Sequence, residues 1–250
     1  MGKLYCSEHP GKAEGVQRRG CGVRHVFPGS PSYSGSKSLC EDSPVKIGCQ
    51  GVYRDDTAEN GNFGAFTTNR TANAAKAMGC SSVIIGHCEE RRDKAGILEE
   101  AGVTDEDAIG RLLNQEIKAA IQAGLTVLYC IGETAGEQEH WQEVLKSQLE
   151  TGLKDVDKEK VVIAYEHMAI GPGKTPPDEA YITKIGTYIK EMTGGMDVVY
   201  GGGLKTDNAR MLASVPVMDG GLIALTRFQG QIGFYPEEYL EIVRTYLERD

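Results

Sequence analysis

The chain lacks any run of roughly 20 apolar residues, the length a bilayer-spanning helix needs, so no membrane association is expected. Its seven cysteines include no Cys-x-x-Cys pair, which removes the ligand spacing of common zinc sites. Their odd number and scattered placement fit reduced thiols and a cytoplasmic protein. Basic residues are also in short supply. Lys and Arg total 27 against 36 Asp and Glu, giving a net charge of −9 and a pI near 5.2. Phosphate backbones are bound by clustered Lys and Arg, so nucleic acid is not the expected partner. Met1-Gly2-Lys3-Leu4-Tyr5 lacks the apolar stretch of a secretory leader, and Cys6 stands where a myristoylation signal carries Ser or Thr. No Gly-x-Gly-x-x-Gly turn, linker, repeat or low-complexity tract is present.

What remains is 250 residues, 40% of them hydrophobic, enough for one large core. Eight short apolar segments recur along the chain: Lys3–Cys6, Val23–Phe27, Val45–Cys49, Ser82–Gly86, Thr126–Ile131, Val161–Tyr165, Asp197–Tyr200 and Gly221–Leu225. Helical patterns follow most of them. Ala108 to Ala123 ends at Gly124, Pro177 to Met192 ends before Gly194-Gly195, and Pro236 to Glu248 opens on proline and two glutamates. His140 to Leu153 and Asp207 to Ala213 complete the set. Strands alternating with helices predict an α/β fold, a closed eight-stranded parallel (β/α)8 barrel forming a single domain over residues 1–250. An open doubly wound sheet is the alternative. The N-terminal quarter is irregular. Residues 6–44 are rich in Gly, Ser, Arg and Cys, and no convincing amphipathic helix lies between the first two strand segments.

The chemistry concentrates at two strand ends. Val162-Ile163-Ala164-Tyr165 runs into Glu166, and the glycine-rich Ile170-Gly171-Pro172-Gly173-Lys174-Thr175 follows. Val83-Ile84-Ile85-Gly86 runs into His87. A carboxylate and an imidazole at the ends of different strands can meet over one substrate as general base and electrophile, arranged for proton transfer beside a carbonyl. The competing reading makes Glu166 a capping carboxylate and His87 a satisfied histidine at the core's edge.

Several of these stretches resemble triosephosphate isomerases. Gly86-His87-Cys88-Glu89-Glu90-Arg91-Arg92 is similar to that family's Gly-His-Ser-Glu-Arg-Arg signature. Cys130-Ile131-Gly132-Glu133, Ala164-Tyr165-Glu166 with Ala169 to Thr175, Tyr200-Gly201-Gly202-Gly203 and Gly64-Ala65-Phe66-Thr67 resemble further motifs in the same order. The resemblance runs from about Val45 to the C-terminus. It implies a TIM barrel that interconverts glyceraldehyde 3-phosphate and dihydroxyacetone phosphate, or a related sugar phosphate, as a homodimer without metal or organic cofactor. The roles it carries are long established for that family: Glu166 as base and His87 as neutral electrophile. It also implies phosphate binding by backbone N–H groups of Gly171, Gly202 and Gly203, with closure of the loop after Glu166 excluding water. Glu89 would orient a neighbouring cationic side chain; the alternative is a buried ion pair with Arg91 or Arg92.

The departures cluster at the same end. The family's Asn-x-Lys after strand one is absent, and Lys12 is the nearest substitute, its alternative being a solvated loop lysine. Glu166-His167-Met168-Ala169 replaces Glu-Pro-x-Trp and is one residue shorter. Cys88 replaces serine. Thr68-Asn69-Arg70-Thr71 replaces Gly-Glu-x-Ser. Ala224-Leu225 stands in place of two glycines, with Arg227 as a substitute phosphate ligand or a plain surface arginine. Two functions remain open: an isomerase of reduced activity, or a barrel without turnover that binds or scaffolds.

Overall fold

The computed structural model describes residues 3–7, 23–27, 45–58, 61–62, 66–105, 107–167, 177–227 and 229–247. The strands are β1 (Lys3–Ser7), β2 (Val23–Phe27), β3 (Val45–Cys49), β4 (Ser82–Ile85), β5 (Thr126–Ile131), β6 (Val161–Tyr165), β7 (Val198–Tyr200) and β8 (Gly220–Ile223). Their order in the sheet follows the chain, and the sheet closes on itself through β1. Every neighbouring pair from β2 to β8 is parallel. β1 departs from the all-parallel expectation, being antiparallel to both β2 and β8. Antiparallel neighbours need no helical crossover. That agrees with the missing amphipathic pattern between the first two strands.

The reversal has a functional consequence. Ser7 pairs with Val23 and Gly220, the first residues of β2 and β8. β1 therefore ends at the face opposite the C-terminal ends of its neighbours. In parallel barrels the chemistry sits at that C-terminal rim.

Side chains alternate along each strand. Ile84, Leu128, Cys130, Ala164, Val199 and Leu222 pack together as one buried cluster inside the barrel. Val83, Ile85, Val127, Tyr129, Ile131, Ile163, Tyr165, Val198 and Tyr200 face outward into a second, larger cluster. Outside the barrel lie the helices α1 (Ala72–Ala77), α2 (Cys88–Glu100), α3 (Ala108–Gln122), α4 (Trp141–Gly152), α5 (Glu179–Thr193), α6 (Thr206–Ser214) and α7 (Pro236–Leu247), all of which except α2 contribute to that outer layer. Leu113 and Ile117 of α3, Leu145 of α4, and Ile182 and Ile185 of α5 are fully buried in it. α5 starts at Asp178, whose carboxylate accepts the Tyr181 N–H at 2.8 Å, and stops at Gly194 with φ +77°.

α2 was not foreseen from sequence. It buries none of its residues, so it carries no apolar stripe to detect. Its exposed face is charged, and its inner side is tied down by polar contacts instead. Lys94 bridges Glu90 at 3.0 Å and Glu116 of α3 at 2.9 Å. Burial, then the hydrogen bond and repulsion of Glu90, push the Glu116 carboxyl up to about 8. Burial also acts to raise Glu90. The Glu116 hydrogen bond, the Lys94 charge and the Gly86 N–H outweigh it and hold Glu90 low.

A pH dependence follows from this arrangement. With its folded pKa raised from 4.5, Glu116 binds a proton in the folded protein that the unfolded chain has released. Its contribution to stability is full below about 4.5 and is lost as pH rises through about 8. Glu116→Gln keeps the shape and stays neutral. The variant should lose less stability than the parent over that window in urea titrations at several pH values. Parallel stability–pH curves for the two proteins would refute the raised Glu116 carboxyl.

No helix among the described residues is long and apolar enough to cross a membrane.

Candidate active site

His87 is placed by a glycine and a helix start. Gly86 takes φ +82°, and a Cβ there would lie 2.7 Å from the Cys130 carbonyl oxygen, so only glycine fits the turn. α2 then clamps Gly86 on both sides. Glu90 Oε2 accepts its N–H at 2.6 Å, and Arg91 Nε donates to its carbonyl at 2.8 Å. Arg91 also donates to the Tyr129 hydroxyl and the Cys130 carbonyl. His87 is the N-cap of α2, with Nδ1 accepting the Glu89 N–H at 3.4 Å. That acceptor role leaves the imidazole proton on Nε2. Nε2 lies 3.3 Å from Glu166 Oε1.

Glu166 continues the alternation of β6. Tyr165 faces outward and Ala164 inward, so Glu166 falls in phase with the barrel interior. It is 6% exposed. Its N–H donates to the Ile131 carbonyl at 2.8 Å, and its Oε2 accepts the Cys88 N–H at 3.4 Å. The carboxylate thus faces the N-terminus of α2, where the helix dipole favours negative charge.

Two glycines on the neighbouring strands make room for it. A Cβ on Gly132 would fall 1.9 Å from the Glu166 carbonyl oxygen, and one on Gly201 would fall 2.9 Å from Glu166 Cγ. Gln148 of α4 fixes Gly132 by a paired bond, accepting its N–H and donating to its carbonyl, each at 2.9 Å. Sequence reasoning noticed both glycines within their motifs but gave neither this positioning role. Their signal was the motif context alone.

The next residue is held by polar contacts. His167 Nδ1 lies 2.9 Å from Glu133 Oε1. Glu133 is fully buried and also accepts from the Tyr165 hydroxyl at 2.9 Å and the Tyr181 hydroxyl at 2.8 Å. Burial acts to raise its pKa. Hydrogen bonds to His167, to its own backbone N–H and to the two tyrosines outweigh burial and hold it low. Burial and then Glu133 push the Tyr181 hydroxyl up to about 12. A buried anion thus anchors the residue directly after Glu166. Neither His167 nor Tyr181 was singled out as its partner from sequence, because their meeting depends on how α5 docks.

Glu133→Gln would turn an acceptor-only group into one with two donors, facing donors already there. We expect a loss of about 1–3 kcal/mol in unfolding free energy by urea denaturation. Unchanged stability would show that the network does not hold the hinge.

The other expected residues are placed as follows. Glu89 is 82% exposed and lies 3.6 Å from His87 Nδ1. The internal carboxylate is its neighbour Glu90, which pairs with Lys94, so the anticipated Glu89–Arg91 or Glu89–Arg92 pair is replaced. Gly202 is buried and Gly203, with φ +76°, half-buried; both follow β7 on the same rim. Arg227 Nε donates to Glu238 at 2.6 Å, and its guanidinium stacks 4.0 Å from the Tyr235 ring. Lys12, Gly171, Gly64 and Ala65 lie outside the described residues. Phe66 is half-buried, with its ring centroid 5.8 Å from that of Tyr53.

Comparison with known proteins places this arrangement. The model of the family described as triosephosphate isomerase matches residues 12–244. The triosephosphate isomerase of Geobacter metallireducens is 42% identical over 174 residues, which cover 64% of this chain and 64% of that protein. The triosephosphate isomerase of Chloroherpeton thalassium is 32% identical over 221 residues, covering 83% of this chain and 78% of its own. That of Prosthecochloris aestuarii is 32% identical over 231 residues, covering 88% and 82%. The crystal structure of triosephosphate isomerase from Bartonella henselae superposes with a TM-score of 0.63 at 26% identity, over 79% of this chain and 77% of that one. With Glu166 and His87 meeting at the ends of parallel strands, the chain belongs to the triosephosphate isomerase family, whose members are aldose–ketose isomerases.

Proposed function

We propose that this chain interconverts glyceraldehyde 3-phosphate and dihydroxyacetone phosphate through an enediolate. The observation that carries the reading is the 3.3 Å approach of Glu166 Oε1 to His87 Nε2. A substrate entering there replaces that contact. Glu166 takes a proton from the carbon beside the carbonyl, and the C–H electron pair becomes the enediolate double bond. His87 donates its Nε2–H to the carbonyl oxygen, where negative charge develops, and takes the proton of the neighbouring hydroxyl in return, so that the carbonyl moves to the adjacent carbon. Glu166 then returns the proton to the adjacent carbon, and the other sugar phosphate results. Gly202 and Gly203 offer backbone N–H groups to the phosphate, and Gly171 does so from the loop beyond Glu166. Lys12 is the proposed cationic partner of the substrate. Arg227 is a phosphate ligand only if it leaves Glu238.

We further propose that residues 1–250 form one barrel domain, acting in the cytoplasm of the cell. The four described cysteines, Cys49, Cys80, Cys88 and Cys130, are free thiols, as a reducing compartment requires. A homodimer is proposed from the loop around Phe66, which resembles an element reaching into a partner subunit. Light scattering at micromolar concentration should return about twice the chain mass of 27.1 kDa. The chain mass itself would contradict the dimer.

The sense of β1 favours a second reading, a family member that binds without turnover. Its strand end lies on the far face from Glu166, so the segment after it does not start at the rim. A coupled assay with glyceraldehyde 3-phosphate separates the two. Turnover supports the isomerase. Its absence, with sugar-phosphate binding retained in calorimetry, supports the second reading.

A further inference from the structure

Beside the catalytic pair stands a thiol that the reaction does not use. His87, Cys88 and Glu166 each bring one ligand atom into a group whose members all lie within 4.8 Å of one another, the single such His, Cys, Asp or Glu group among the described residues. Cys88 Sγ is 3.8 Å from either imidazole nitrogen of His87. Nε2 is 3.3 Å from Glu166 Oε1. Zinc bond lengths of about 2.0–2.3 Å at tetrahedral angles put neighbouring ligand atoms roughly 3.4–3.6 Å apart. The His87–Glu166 and His87–Cys88 pairs already sit near that spacing, and the third pair lies within 4.8 Å.

The donor set suits the same ion. Thiolate, imidazole and carboxylate are all good zinc ligands, and three protein ligands leave a fourth position open to water. One thiolate and one carboxylate neutralise a divalent charge. Cys49, Cys80 and Cys130 are buried, whereas Cys88 is only half-buried, so a metal ion can reach it. Sequence reasoning missed the group because it looked for spacing along the chain. Here two ligands are adjacent and the third comes from another strand.

We propose that His87, Cys88 and Glu166 form a zinc(II) site, and that the bound ion blocks the isomerase site by occupying its base and its electrophile. On binding, the Cys88 S–H releases its proton to solvent as the S–Zn bond forms, and the imidazole proton leaves Nε2 for Nδ1, which gives up the Glu89 N–H and turns to the Glu89 carboxylate 3.6 Å away, so that Nε2 can hold the ion. Blocking rests on the isomerase reading given above; binding does not. Because the related enzymes' signature carries serine in place of Cys88, this sensitivity belongs to the substitution.

The test uses the full chain, with zinc and cobalt(II) as probes. Competition with a chromophoric chelator should return one zinc per chain, and cobalt should give a thiolate-to-metal charge-transfer band in the near ultraviolet. Cys88→Ser should abolish the band and weaken zinc binding by at least about 100-fold. Glu166→Gln should weaken zinc binding while keeping the band, which guards against a folding defect in one variant. A band or an affinity unchanged in Cys88→Ser would overturn the site. Zinc should also abolish turnover in the parent, with recovery on adding chelator; full turnover with zinc bound would overturn the blocking.

Discussion

Glu166→Gln is expected to lower isomerase turnover by about 10²–10⁴-fold while leaving the fold intact. The amide keeps the shape of the carboxylate and can still take the Cys88 N–H at its oxygen, but it cannot accept a proton from carbon. His87 would keep its place as N-cap of α2, since that rests on the Glu89 N–H and the Gly86 turn. Parent and variant should therefore share a circular dichroism spectrum, with any loss of stability limited to the amide NH2 that would face the His87 Nε2–H. Equal turnover in the two would move the base elsewhere. The parent rate is itself expected to fall below the family's. The Asn-x-Lys motif is absent, β1 ends on the opposite face, and electrostatic stabilisation is often the largest catalytic term.

The largest structural effect is expected from Gly132→Ala. Its methyl would fall 1.9 Å from the Glu166 carbonyl oxygen, a backbone atom that cannot swing aside as a flexible side chain can. Either β5 or the end of β6 must shift. Overpacking of this kind costs about 1–3 kcal/mol and occasionally more, and this distance puts Gly132 at the upper end. The shift would also break the paired bond to Gln148 and carry Glu166 away from His87. Denaturation should show a loss of about 3 kcal/mol, and turnover should fall even where the protein remains folded. Gly136→Ala, where no atom lies within 4 Å of the added carbon, is the control and should change neither. A stable and active Gly132→Ala protein would show that the strand ends are laxer than described.

The two strand ends were legible because each is a short apolar run, rich in β-branched residues, that stops on an ionisable residue. The six strands from β3 to β8 were placed within two residues as short apolar segments, and both N-terminal strands were also found as segments. The sense of β1 was not legible. Alternation and propensity describe a strand, and say nothing about which way its neighbour runs. The composition of residues 6–44 did register the anomaly, since a parallel neighbour would have required a crossover that the sequence does not supply. α2 was invisible for the opposite reason, being held by Glu90, Arg91 and Lys94 rather than by an apolar face. Glu133 was seen only as part of a motif. Its meeting with His167 and Tyr181 needs the outward phase of β5 together with the docking of α5. Gly132 and Gly201 act by what they lack, and a missing Cβ announces no partner in a sequence.

The central claim is that Glu166 removes a carbon-bound proton. Dihydroxyacetone phosphate incubated with the protein in deuterium oxide tests it directly, with deuterium followed at the carbon beside the carbonyl by nuclear magnetic resonance. The parent should place one deuterium in the product and in recovered substrate, and Glu166→Gln should not exceed the rate in buffer. Equal uptake with both proteins, or uptake by neither, would contradict the claim.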